Sequence, residues 1–286
     1  MQHLNSRARQ TLWSPFRAVA LLLGVATMAA SIGVCNAQEY LTGIEWQEPP
    51  VVTPGTASTQ EKPGDPPSDA IVLFDGTNFD AWNGAERWKI VDGAAVVNGG
   101  SIETKQKFGD SQLHVEWSAP TPPTSRSQGR GNSGVFFGDF ELQVLDSYEN
   151  KTYFDGQAGA LYKQHPPMVN AMRPPGEWNV YDVIWTAPRF DENGKLKSSA
   201  YITVLHNGVV VQNHFELLGG TYYNRPPEYH PPSELSVKLQ DHGNPVRFRN
   251  IWIRPLKPIE GKQAREPFLR HNGKETPIKK KDEAGG

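Results

Sequence analysis

The stretch Trp88-Lys89-Ile90-Val91-Asp92-Gly93-Ala94-Ala95-Val96-Val97 decides the fold class. Two short apolar runs flank Asp92-Gly93, and that dipeptide readily supplies the two positive-φ positions of a type I′ turn, so a β-hairpin is expected. The signal returns where Tyr201 to Leu205 and Val209 to Gln212 flank His206-Asn207-Gly208. Elsewhere the pattern is alternation. Leu113, Val115 and Trp117 alternate with Gln112, His114 and Glu116; Phe140, Leu142 and Val144 alternate with Glu141 and Gln143. Leu235, Val237 and Leu239 alternate with Ser236, Lys238 and Gln240. A period of two is that of a half-buried strand. Val246 and Phe248 open another strand whose phase slips at Asn250 before Trp252, which predicts a bulge. Many short antiparallel strands without a helical period predict an all-β sandwich or barrel.

Composition points the same way. The chain has 27 Gly and 24 Pro in 286 residues, too many turn formers for a helical bundle. Its 29 Lys+Arg against 31 Asp+Glu leave no basic footprint, which disfavours nucleic-acid and membrane-surface partners. The length supports a core without disulfides, and Cys35 is the sole cysteine.

The ends read differently from the middle. Arg7, Arg9 and Arg17 precede an apolar run from Ala18 to Val34, followed by Cys35-Asn36-Ala37. That order predicts a secretory signal over residues 1–37, cleaved before Gln38, and an exported domain in the periplasm or outside the cell. An uncleaved N-terminal membrane anchor is the rival reading. Cleavage removes the cysteine and three Arg, taking the formal charge from −2 to about −5. Residues 38–69 carry Pro49, Pro50, Pro54, Pro63, Pro66 and Pro67 without apolar periodicity and read as a linker. Residues 257–286 read as a flexible charged tail ending near Lys279-Lys280-Lys281. The folded domain is expected over 70–256.

The polar strand faces carry the functional signal. Glu141 and Gln143 share one face of their strand, Gln240 and His242 have the same spacing, and Arg247 and Arg249 share a face further on. If these strands are neighbours, they present a carboxylate, amides, an imidazole and guanidinium groups, with Trp178, Tyr162 and Tyr181 available as rings. Planar polar groups beside aromatic rings suit sugars. On pattern alone a merely wet strand face is the commoner meaning.

Further motifs narrow this. The chain carries Phe74-Asp75-Gly76, Arg130-Gly131-Asn132-Ser133-Gly134, Phe140-Glu141-Leu142-Gln143-Val144-Leu145-Asp146-Ser147, Gly159-Ala160-Leu161-Tyr162 and Pro175-Gly176-Glu177-Trp178-Asn179. Leu239-Gln240-Asp241-His242-Gly243 and Arg247-Phe248-Arg249-Asn250-Ile251 follow. In this order and spacing the chain resembles the 3-keto-disaccharide hydrolase domain over about residues 70–256. The resemblance implies a concanavalin-A-like jelly roll of two antiparallel sheets. It also implies a glycoside substrate oxidised at C3 by a partner glycoside 3-dehydrogenase.

Chemistry then suggests a route. A C3 ketone acidifies the C2 proton, so a base can form an enediolate, the C1 aglycone can leave by elimination, and water can add back. The paired carboxylates of an ordinary glycosidase are not required. With the motif match, Glu141 and His242 are the candidates for proton transfer. Arg130, Asn132 and Arg249 are candidate donors to the oxyanion or sugar hydroxyls; Gln143, Asn179 and Gln240 are further candidate contacts. Arg249 has the rival role of pairing with Asp146 or Glu141, and Asp146 that of holding a loop. Trp178 and Tyr162 are candidate stacking rings. Lys163 departs from the small residue the resemblance leads us to expect after the tyrosine.

Other chemistries find little support. No phosphate loop, nucleophile elbow or zinc spacing is present. No cofactor is expected; calcium on loop carboxylates stays open, without an EF-type string. A non-catalytic carbohydrate-binding, lectin-like module is the alternative function, since fold alone does not settle activity.

Overall fold

The computed structural model describes residues 37–278. The expected signal segment therefore lies outside the described residues up to Asn36, as do the three consecutive lysines. In chain order the strands are β1 (Glu39–Leu41), β2 (Ile44–Trp46), β3 (Ile71–Phe74), β4 (Trp82–Asn83), β5 (Lys89–Val91), β6 (Ala94–Val96) and β7 (Ile102–Phe108). Then come β8 (Ser111–Ser118), β9 (Ser133–Phe137), β10 (Phe140–Val144), β11 (Trp178–Thr186), β12 (Arg189–Phe190), β13 (Leu196–Ser198) and β14 (Tyr201–His206). The last six are β15 (Val209–Glu216), β16 (Leu235–Leu239), β17 (Arg247–Pro255), β18 (Gly261–Gln263), β19 (Phe268–His271) and β20 (Lys274–Pro277). Two short 3₁₀ turns are the only helical elements among the described residues, and no helix there is long and apolar enough to cross a membrane.

The described residues up to Glu45 and from Gly261 onward form a small unit. In it β1, β19 and β20 build an antiparallel sheet with Leu41 opposite Phe268, and β2 pairs with β18. The stretches read as a Pro-rich linker and a charged flexible tail thus carry short strands among their described residues. These strands have only three or four residues each, too short to register as a period.

Residues 46–260 form the other unit. Its N-terminal stretch is also ordered. Residues 56–65 make a looped strap, closed by Thr56 N–H to Asp65 O (3.0 Å). Side-chain to backbone hydrogen bonds anchor it: Gln60 Nε2 donates to Trp178 O (3.0 Å), and Trp178 N–H donates back to Gln60 Oε1 (2.7 Å). Polar anchoring leaves no hydrophobic pattern, which is why composition suggested a linker.

Two antiparallel sheets make the body. One has five strands in the order β10-β9-β16-β7-β4; the other runs β15-β14-β11-β8-β17-β6-β5, with β3 also against β17. This is the expected all-β sandwich of two antiparallel sheets. Both hairpin turns form: Asp92 and Gly93 have φ of 51° and 71°, Asn207 and Gly208 of 54° and 79°. The bulge forms as well. The register of β17 against β8 shifts between Arg249 and Trp252, and Asn250 sits at φ 46°.

Apolar side chains of alternating parity fill the space between the sheets. Phe137 of β9 stacks on Trp185 of β11 at 4.6 Å and 4°, one ring from each sheet. Such pairs add about 0.5–1.5 kcal/mol beyond the area they bury. Tyr181 of β11 is fully buried and donates its hydroxyl to Gln143 O (2.7 Å) on β10. That bond fixes the backbone carrying the polar face described next.

Candidate active site

The outward face of the five-stranded sheet holds a cavity of about 690 Å³. Alternation builds its floor. On β10, Phe140, Leu142 and Val144 enter the core, so Glu141 and Gln143 face outward. On β9, Val135 and Phe137 enter the core and Phe136 faces outward; on β16, Val237 and Leu239 do so and Lys238 faces outward, followed by Gln240. Register then aligns rows across the sheet. Glu141 opposes Phe136, which opposes Lys238; Gln143 opposes Gly134, whose carbonyl accepts from Gln240 N–H (2.9 Å).

Glu141 is the group out of place. It is 6% exposed, and among the described residues its carboxyl makes no hydrogen bond or ion pair. Burial pushes its pKa up to about 8, against the opposing pull of the Lys238 charge. Its backbone N–H is held by Thr221 Oγ1 (2.8 Å), which donates in turn to Asp139 O (2.9 Å). Gly134 leaves room for the carboxyl.

Beside it two amide oxygens lack partners. The Oε1 atoms of Gln143 and Gln240 are buried without a hydrogen bond among the described residues. Gln143 Nε2 reaches Gln128 Oε1 (3.3 Å) and Asn132 Oδ1 (3.4 Å), which leaves the carbonyl ends to accept from a ligand. Tyr162 closes one wall, its hydroxyl 2.8 Å from that of Tyr153; burial and this contact push the Tyr162 phenol pKa up. His242 lies exposed at the rim, in the turn after β16.

The cavity therefore brings together Asn132, Glu141, Gln143, Tyr162, Gln240 and His242. Five other candidates lie elsewhere. Arg130 is spent on Asp146: Nε donates to Oδ2 (2.7 Å) and Nη2 to Oδ1 (3.0 Å). Asp146, fully buried, also accepts the Tyr148 N–H (3.1 Å), the loop-holding role. Asn179 is buried between Asn207 Nδ2 (2.9 Å) and His206 Nε2 (3.0 Å), a packed polar network under the β14–β15 turn. Trp178 and Arg249 stand on the other sheet. The Arg249 guanidinium lies 4.2 Å from the centre of the Trp178 ring and pairs through Nε with Glu116 Oε2 (2.7 Å), not with Asp146 or Glu141.

The same patch of that sheet is a closed ionic cluster. His114 Nδ1 contacts Asp182 Oδ1 at 2.7 Å, and its Nε2 lies 3.4 Å from Glu116 Oε1, which also accepts from Asn250 Nδ2 (2.7 Å) and Ser58 Oγ. Burial works against the His114 charge, but Asp182 and Glu116 outweigh it and hold the pKa at about 9. Burial likewise opposes the Glu116 charge, yet its donors pull that carboxyl down to about 2.

Several cavity residues escaped the sequence reading: Gln128, Tyr153, Lys238 and the Thr221-Tyr222-Tyr223-Asn224 loop. Only Lys238 had a signal, since it shares strand parity with Gln240. Lys163 has an explanation too. It adopts φ 59°, a left-handed conformation natural to glycine, and its ammonium sits 4.1 Å from the Tyr153 ring centre and 3.3 Å from Asp155 Oδ1. It braces Tyr153 rather than lining the cavity. Among the described residues no three His, Cys, Asp or Glu converge to hold a metal ion.

A two-sheet sandwich with amides, phenols and one buried carboxyl on an outer face defines a carbohydrate-active enzyme of β-sandwich fold. Residues 69–254 match the 3-keto-alpha-glucoside-1,2-lyase-like domain, and the chain belongs to that family. A 3-keto-disaccharide hydrolase from Bacteroides thetaiotaomicron is 28% identical over 237 residues, 65% of this chain and 78% of the relative. A crystal structure from Parabacteroides distasonis, provisionally assigned as a glycosyl hydrolase, is 50% identical with a TM-score of 0.70. The match covers 73% of this chain and 93% of that one. A second provisionally assigned glycosyl hydrolase from the same organism, at 21% identity and TM-score 0.50, shares the fold; the match covers 66% of this chain and 94% of that one.

Proposed function

We propose that the protein is an exported enzyme that cleaves 3-keto-glycosides by elimination across C1–C2 followed by rehydration. The observation that carries this reading is the buried, unpaired Glu141 carboxyl on the cavity floor. A carboxylate with a pKa near 8 is a far stronger base than an exposed one. An ordinary glycosidase pair has weaker support, because the other carboxyl bordering the cavity, Asp139, is exposed and already accepts from the Tyr222 hydroxyl (3.1 Å).

In this reading Glu141 takes the C2 proton of a sugar ketonised at C3. The C1–O bond breaks as the C1=C2 bond forms, and His242 at the rim protonates the leaving oxygen. Water then adds at C1 and a proton returns to C2, completing net hydrolysis. Gln143 and Gln240 accept from sugar hydroxyls through their unpartnered oxygens, and Asn132 and Tyr162 complete the binding wall. The substrate requires a preceding glycoside 3-dehydrogenase. Export rests on the basic, apolar and small-residue order before Gln38.

The test is aglycone release from a 3-keto-disaccharide by purified protein in deuterium oxide, beside the unoxidised parent. The ketone should be cleaved with deuterium entering C2, and the parent left intact, because its C2 proton is too weakly acidic. Tight binding of the ketone without release would favour a carbohydrate-binding module. Release without C2 label, by an enzyme shown not to recycle the abstracted proton, would replace elimination by direct displacement.

A further inference from the structure

Lys238 has no established task in the fold. It projects from β16 onto the cavity face, and among the described residues its ammonium makes no hydrogen bond or ion pair. It rests over the Phe136 ring, 4.1 Å from the centre. Phe136 in turn lies between Lys238 and Glu141 in the register, so the row reads carboxyl, ring, ammonium across three neighbouring strands. With strands about 4.8 Å apart, the two charged residues start roughly 10 Å from each other. Both side chains line the same cavity, so a gap lies between carboxyl and ammonium on either side of Phe136.

That gap matches the needs of a single reaction. Proton removal from C2 leaves an electron pair that becomes the C2=C3 bond, while the carbonyl electrons move to O3. The acidic carbon C2 and the developing oxyanion O3 are two bonds apart, joined through C3, so base and cation have to reach two different atoms of one sugar at once. Glu141 and Lys238 flank Phe136 in the register, one on each side, so a single sugar in the cavity can meet both. An ammonium in a partly desolvated cavity stabilises an oxyanion far more than it does a neutral carbonyl.

Resting on the function proposed above, we propose that Lys238 is a further catalytic residue: its ammonium holds O3 of the 3-keto sugar and stabilises the enediolate oxyanion as Glu141 takes the C2 proton. When the C1–O bond breaks, the same electrons return to reform the C3 carbonyl, and the contact weakens. Lys238 thus acts on the transition state more than on the bound ketone, and it has no comparable role toward a C3 hydroxyl.

The experiment compares wild type, Lys238→Met and Lys238→Arg on a 3-keto-disaccharide, measuring kcat and KM separately. Lys238→Met keeps length and apolar contact with Phe136 but removes the charge. Its kcat should fall about 10²–10³-fold with KM within about threefold, and Lys238→Arg should recover at least tenfold of that loss. A Lys238→Met enzyme with wild-type kcat, or one in which only KM rises, overturns the role. So does a kcat loss that arginine fails to recover in a protein with wild-type circular dichroism. Wild-type protein inactive on the ketone overturns the proposed function itself and takes this role with it; an active wild type beside an unimpaired Lys238→Met sinks this role alone.

Discussion

Gly134 leaves the space that the Glu141 carboxyl fills: a Cβ built on Gly134 would lie 2.7 Å from Glu141 Oε1 and 2.5 Å from Phe136 Cε2. Both contacts are closer than real side chains tolerate, and neither neighbour can turn into the packed sheet. Gly134→Ala should therefore displace the carboxyl or the ring by a few tenths of an ångström to an ångström. A shift of that size at a reacting atom costs on the order of 10–10²-fold in kcat. Unchanged kcat in a folded Gly134→Ala protein would show that the gap is incidental.

Glu141→Gln keeps shape and removes the base. We expect kcat to fall about 10²–10⁴-fold with KM within about threefold. The wild-type profile should also carry a rising limb of kcat/KM near pH 8, since the carboxyl must ionise to accept a proton. A wild-type rate that is flat from pH 6 to 9, or a fully active amide variant, would remove Glu141 from the chemistry.

What was legible in the sequence follows strand parity. Phe140, Leu142 and Val144 announce the core, so Glu141 and Gln143 had to face outward, and β16 gave Gln240 by the same logic. Lys238 obeys the same logic, but a polar residue on a strand more commonly marks a wet face. Parity says which face a residue takes but not which sheet its strand joins. Arg249 and Trp178 were grouped with Glu141 for that reason, although β17 and β11 lie in the opposite sheet. Tyr153 and Tyr222 come from loops without period, and their approach to the cavity is a tertiary fact. His114 and Glu116 looked like solvated alternates of β8, yet the strap beside Ser58 helps to bury them.

Arg249 gives a contrasting prediction. Its ion pair with Glu116 is almost fully buried, at 8% and 0% side-chain exposure. Arg249→Met strips a charge and two strap carbonyls of their donor, Thr59 O and Gln60 O. The expected cost is about 3–5 kcal/mol, because Glu116 is left buried with less compensation. Denaturant unfolding should show that loss, while KM for the sugar in the surviving folded fraction stays at the wild-type value. A raised KM at unchanged stability would return Arg249 to the binding site.

Stability should depend on pH through four groups with opposing signs. Burial pushes His206 down from 6.5 to about 3, so the unfolded chain binds more protons between those values and stability falls as pH drops below 6.5. Glu116 is pulled down to about 2 from 4.5, so the unfolded chain binds more protons between those values and stability falls as pH drops below 4.5. Glu141 is pushed up from 4.5 to about 8, so here the folded state binds more protons and stability falls as pH rises through that window. His114, raised from 6.5 to about 9, has the same sign between those values. The losses from Glu141 and His114 overlap from about pH 6.5 to 8, the steepest stretch, while between about 4.5 and 6.5 the Glu141 loss and the His206 gain oppose each other, so the maximum should be a plateau over that range. Tm should fall by several degrees between pH 6 and pH 8.5, with about 2–4 °C expected per kcal/mol at this size. Glu141→Gln removes one of the two slopes, so its Tm should decline less over that range and overtake the wild type at alkaline pH. His114→Gln should lower Tm most at pH 5 to 6 and flatten what remains. A wild-type Tm that climbs from pH 6 to 8.5, or a Glu141→Gln slope equal to the wild type's, would mean that the buried carboxyl is not the acid described above.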